Sequence, residues 1–142
     1  MNKNKHYSLL IILVLCAAGV FSQSTSNEQV YTKIKNCFVN NDFVKLENFF
    51  PNDRKIYLFI PPVITRNGYF TSQQLHFILK DMQKDITTLN FTYEDKDRAS
   101  GNNTSKKATW KFSKNGEIST VNIYIYVESI SNEWKIVQIK IS

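Results

Sequence analysis

The sequence predicts an α+β domain in which three helices pack on one face of a curved, mainly antiparallel sheet. Three observations predict it. Apolar residues recur at helical spacing up to about residue 85. From about residue 87 onward they alternate at the strand period of two. Turn signals then separate long strands, so helices come first and a meander follows.

The first twenty-two residues read as an export signal. Lys3 and Lys5 give a positive start, and Leu9 to Phe21 is an unbroken apolar run. As a helix that run is ~20 Å long, short of the ~30 Å hydrocarbon core. Val20-Phe21-Ser22 offers a cleavage site, leaving a domain over residues 23–142. The expected location is the periplasm or the extracellular space, with membrane contact only through the signal before cleavage.

Ser26 and Gln29 form a capping box for the first helix. Val30, Ile34, Cys37 and Phe38 then mark one face. Asn40-Asn41-Asp42 ends it and caps a second helix carrying Phe43, Leu46, Phe49 and Phe50, with Pro51 just beyond. Ile56 to Ile60 is β-branched and aromatic and is stopped by Pro61-Pro62, which points to a short edge strand. Asn67-Gly68 is a turn. Thr71 and Gln74 form a second capping box, with Phe70 placed to staple onto Leu75. Leu75, Ile78, Leu79 and Met82 form the buried stripe of the third helix, and Asp81 and Asp85 fall on its solvated side.

The strands follow. Leu89, Phe91 and Tyr93 alternate with polar residues, and a polar loop runs from Asp95 to about Thr104. Ala108, Trp110 and Phe112 mark the next strand, closed by Asn115-Gly116, a strong two-residue hairpin signal. Val121, Ile123, Ile125 and Val127 mark the third. Ser131-Asn132 turns the chain into Trp134 to Ile141, with Val137, Ile139 and Ile141 on one face.

This order resembles the nuclear transport factor two-like superfamily, the cone-shaped α+β fold. The resemblance rests on residues 40–50, on Gly68-Tyr69-Phe70-Thr71-Ser72-Gln73-Gln74 running into Leu75 to Asp81, on the hairpins, and on the terminal Trp134-Lys135-Ile136 strand. It is closest to small exported bacterial families of unknown function. It implies a cone with a mouth that can hold a ligand, and a sheet face through which members often dimerise. The superfamily spans isomerases, dehydratases, binding modules and dimerisation domains, so fold alone does not decide function.

Composition excludes several classes. Hydrophobic residues make up 42% and aromatics 13% of the chain, which rules out a disordered segment. Two cysteines, one of them in the signal, exclude a disulfide scaffold. The net charge is +6, or +4 without Lys3 and Lys5, too mild for a nucleic-acid signature. Lys106, Lys107, Lys111 and Lys114 cluster on one hairpin, but Trp110 faces the other way, whereas a stacking platform needs both on one face. With one histidine and one cysteine after the signal, a zinc site of the usual type cannot be assembled. Asp95, Asp97, Asn102 and Asn103 match no calcium loop. No metal and no cofactor is expected.

Two surfaces remain. Tyr57, Tyr69, His76, Tyr93 and Trp110 lie on elements expected to line the cone, where they would form a pocket for a small apolar ligand. By strand parity, Tyr124, Tyr126, Trp134 and Ile136 face outward beside Lys107 and Lys111 and form an association surface. The expected function is therefore a non-enzymatic exported domain that associates, as a homodimer, through the outer sheet face. The alternative is a carrier using the cone. Isomerase-like acid–base chemistry is a third reading and requires an ionisable group inside the cone.

Overall fold

A computed structural model describes residues 26–96 and 98–142. The expected signal segment and Asp97 lie outside the described residues. The chain is α+β, with three helices against one mainly antiparallel sheet. Helix α1 spans Asn27–Val39, a 3-10 helix η1 spans Phe43–Phe49, and α2 spans Ser72–Asp85. The strands are β1 (Ile56–Phe59), β2 (Gly68–Phe70), β3 (Ile86–Tyr93), β4 (Arg98–Ser100), β5 (Asn103–Lys114), β6 (Glu117–Ile130) and β7 (Glu133–Ile141). Their order is β2-β1-β7-β6-β5-β3, with β4 paired to β5.

Local signals explain most of the boundaries. Ser26 Oγ accepts the Gln29 amide and starts α1. Asn41 adopts a left-handed φ of 55°, which stops the helix. The following segment tightens into a 3-10 helix instead of an α-helix. Its apolar residues Phe43, Leu46 and Phe49 recur every three residues, the period at which 3-10 side chains eclipse. At α2 the capping box closes in both directions: Thr71 Oγ1 accepts from the Gln74 amide, and Gln74 Oε1 accepts from the Thr71 amide. Asn115-Gly116 and Ser131-Asn132 take the positive φ values expected of tight hairpin turns.

The core joins both layers. Val30, Tyr31, Ile34, Cys37 and Phe38 of α1 meet Phe91, Ala108, Trp110 and Phe112 of the sheet. Phe38 stacks on Phe91 at 4.4 Å between ring centroids and meets Trp110 edge-on at 5.1 Å.

Four local expectations are corrected. First, β1 is not an edge strand, because it lies between β2 and β7 and runs parallel to β7. Pro61-Pro62 falls beyond its last paired residue, Phe59, so no ladder donor is lost. Second, Gly68 opens the three-residue edge strand β2. Third, the loop after β3 contains β4, which folds back on β5 through Gly101-Asn102. Fourth, two bulges reset strand faces. Thr88 pairs with Phe112 while Asn90 pairs with Lys111, so Leu89 is the extra residue and is 48% exposed. Tyr126 pairs with Gln138 while Val127 pairs with Ile136, so Val137 is the extra residue of β7.

Candidate functional site

The bulge at Val137 decides which side chains reach the outer sheet face. Ile136 opposes the inward Val127 and is 0% exposed, in the core with Ile139. Trp134 shares the inward parity of Ile136 and packs against the same core. Both were expected outside, and the extra residue reverses them. Tyr124 and Tyr126 stay outside and half-buried, as the alternation of β6 predicts.

The same face gains residues expected in the cone. Tyr57 pairs with Gln138, Phe59 with Lys140, and Gln138 in turn with Tyr126. Tyr57 and Phe59 therefore lie on the same outer face as the β6 tyrosines, one strand removed from them across β7. Tyr69 joins them from β2, 69% exposed, its ring 5.0 Å from that of Tyr57. Tyr57 and Phe59 are parallel at 6.4 Å. Lys140 Nζ sits 5.4 Å from the centroid of the Tyr126 ring, within cation–π range. Lys107, opposite Tyr124, is held by Glu94 at 2.6 Å. The result is an aromatic face running from β2 and β1 to β6, crossed at β7 by Gln138 and Lys140 and bordered on β5 by Lys107.

The expected cone pocket does not assemble from its five residues. Trp110 is 0% exposed, and its indole Nε1 donates to Thr88 Oγ1 at 3.0 Å. Tyr93 packs edge-on against Tyr31 and donates its hydroxyl to the Tyr31 carbonyl at 3.1 Å. Burial pushes the Tyr93 phenol well above its ordinary range, with the Tyr31 hydroxyl adding to the shift. His76 lies on α2, half-exposed, its Nδ1 2.7 Å from Glu47 Oε2 of η1. The space that these rings were to enclose is filled by Phe38, Phe43, Phe91 and Trp110. Among the described residues the buried polar side chains are Thr104 and Ser105, and no Asp, Glu or His is buried.

A groove of about 630 Å³ opens elsewhere, between α2 and the segment that follows β1. Ile78 and Met82 of α2, Ile64 and Phe70 give it an apolar floor, and Ile86 and Lys114 close one end. Phe77, 68% exposed, stands on its rim. Asp81 and Asp85 line the helix wall, and Arg66 lines the opposite segment. Its shape is fixed by main-chain contacts. The Val63 and Ile64 amides both donate to the Ile60 carbonyl, and Asn67 Oδ1 accepts from the Ile60 amide at 2.7 Å. Lys114 Nζ donates to the Val63 carbonyl at 2.7 Å and ties the segment to the end of β5. Sequence periodicity assigned Asp81 and Asp85 to solvent. Both are exposed, but they stand along this groove. The available signal was the offset of Phe77, Ile78 and Asp81 from the Leu75–Leu79–Met82 stripe.

No protein-family model matches the chain, and no curated protein matches it significantly. Solved structures do. A DUF4783 family protein from Bacteroides uniformis superposes with a TM-score of 0.63 at 10% identity, over 77% of this chain and 92% of that one. A hypothetical protein with a ketosteroid isomerase-like fold from Catenulispora acidiphila, in complex with trimethylamine, gives 0.62 at 13%, over 82% and 86%. A putative Ca/calmodulin-dependent kinase II association domain from Exiguobacterium sibiricum gives 0.58 at 8%, over 81% and 88%. At such identities the likeness concerns the fold, and together with the element order it establishes that the chain has the nuclear transport factor two-like fold.

Proposed function

We propose that the protein is an exported association module that forms a homodimer through the outer face of its sheet. The observation that carries this reading is the aromatic stripe Tyr69, Tyr57, Phe59, Tyr124 and Tyr126 on that face. The strands β2, β1, β7, β6 and β5, about 4.8 Å apart and averaging about eight residues in length, present roughly 600 Å² of projected face. A standard interface covers ~800 Å² of accessible surface per partner, so the face is of suitable size.

The pattern also suits a second copy. A two-fold axis running along the strands between β7 and β6 lays β1 of one copy over β5 of the other. That sets Tyr57 and Phe59 of each against the Lys107 side of its partner. A two-fold interface needs such mutual complementarity, and a lysine over an aromatic ring supplies it. The likeness to a protein described as an association domain is consistent with this reading.

Sedimentation equilibrium of residues 23–142 tests it. The expected result is a dimer in the micromolar range that becomes a folded monomer in Tyr57→Glu/Tyr126→Glu. Both side chains are outside the core, so far-UV circular dichroism should not change. A wild-type chain that stays monomeric at millimolar concentration overturns the proposal.

A further inference from the structure

Helix α2 carries apolar residues beyond its buried stripe. Leu75, Leu79 and Met82 face the core and are buried. Ile78, half-buried at the edge of that stripe, and the exposed Phe77 line the groove together with Met82. Two features make the groove more than a gap in the surface. Its walls are held by the capping box of α2, by the hydrogen bonds to the Ile60 carbonyl, and by the Lys114–Val63 tie. A preformed site of this kind loses little ordering entropy on binding. Its volume also falls within the usual range of ligand sites, ~300–1,000 Å³.

The charges on the walls specify the occupant. Asp81 and Asp85 are one helical turn apart and point along the same wall. Among the described residues the one ion pair of Asp81 is a long, exposed contact of 3.4 Å to Lys84, which is worth little. Arg66 lines the groove from the segment after β1, and the other lining cation, Lys114, is engaged by the Val63 carbonyl. A ligand that matches all three features has an ammonium at one end, a carboxylate at the other and an apolar body between them. We propose that the groove binds a short apolar peptide with free termini. Its amino terminus lies at Asp81 and Asp85, its side chains on Ile64, Phe70 and Ile78, and its carboxylate at Arg66.

Trileucine is the probe, and isothermal titration calorimetry is the measurement. The wild-type chain should bind trileucine, and bind N-acetyl-trileucine and trileucine amide, each blocked at one end, at least tenfold more weakly. Asp81→Asn/Asp85→Asn should erase that preference for the free amino terminus, and Arg66→Gln the preference for the free carboxylate. All three side chains are exposed, so the variants should fold normally. Three outcomes each overturn the proposal: no binding of trileucine at millimolar concentration, equal binding of the free and blocked peptides, or an unchanged preference in the charge variants. The groove is on a different face from the aromatic stripe. The Tyr57→Glu/Tyr126→Glu variant should therefore bind the peptide as the wild type does, which separates failure of this proposal from failure of dimerisation.

Discussion

Tyr93 shows how a residue that looks like a ligand contact is used by the interior. Its ring packs edge-on against Phe91 and Tyr31, and its hydroxyl donates to the Tyr31 carbonyl. Burial favours the neutral phenol, so its folded pKa is raised above the unfolded value of about 10. The folded chain then holds a proton that the unfolded chain releases, and stability falls as pH rises. Chemical denaturation between pH 8 and 12 should show a midpoint that begins to decline at about pH 8.5, where the unfolded Cys37 thiol ionises, and falls more steeply above about pH 10, where the unfolded Tyr93 phenol does. Tyr93→Phe should be less stable at pH 8, having lost a hydrogen bond, and should show a shallower decline. Cys37 has a similar history. Burial first, then the charge of Asp42, pushes its thiol up and keeps it protonated at neutral pH.

At the scale of elements, one inserted residue outweighs the periodicity of a whole strand. Without the bulge at Val137, Ile136 and Trp134 would face solvent beside Tyr126. With it Ile136 enters the core, Trp134 packs against it half-buried, and the face is left to tyrosines from β6 and aromatics from β1 and β2. The two assignments differ sharply in their consequences. Ile136→Glu places an unpaired charge in the interior and should destabilise the fold by about 4 kcal/mol or more. Tyr124→Glu should leave the unfolding midpoint within experimental error at a concentration where the wild type is monomeric. Comparable losses in urea titrations would refute the assigned faces. Helix α2 gives a second element-scale test. Thr71→Ala removes one half of a closed capping box and should cost about 1 kcal/mol. That change should appear in the denaturation midpoint, with little effect on the slope.

For the whole molecule, topology gathers what the sequence spreads apart. The only parallel pairing among the described strands joins β1, before α2, to β7, at the carboxyl end. That crossover sets Tyr57 and Phe59 beside Gln138 and Lys140, some eighty positions away in the chain. It converts a tyrosine of β1 and one of β2 from expected pocket residues into members of the outer stripe. It also leaves α2 covering the core on one side and open to the groove on the other. Dimerisation and peptide binding are thus assigned to separate faces and can be tested independently.

The sequence by itself determined the order of the longer elements, the amino-terminal caps of α1 and α2, the hairpin turns and most of the core, but not the short strands β2 and β4 or the uncapped start of η1 at Asp42. The features it determined depend on short-range rules: capping geometry, turn chemistry, and periods of 3.6 and 2. It also identified Tyr124 and Tyr126 as outward residues, because β6 alternates without interruption there. It did not determine the faces of β3 and β7, since a bulge depends on the partner strand and changes parity without a marker in composition. Nor did it place β1 inside the sheet, because a parallel neighbour from the far end of the chain leaves no local trace. The groove and the aromatic stripe belong to that second class. Each is made of side chains that are ordinary on their own elements and become a surface only when non-local pairing sets them side by side.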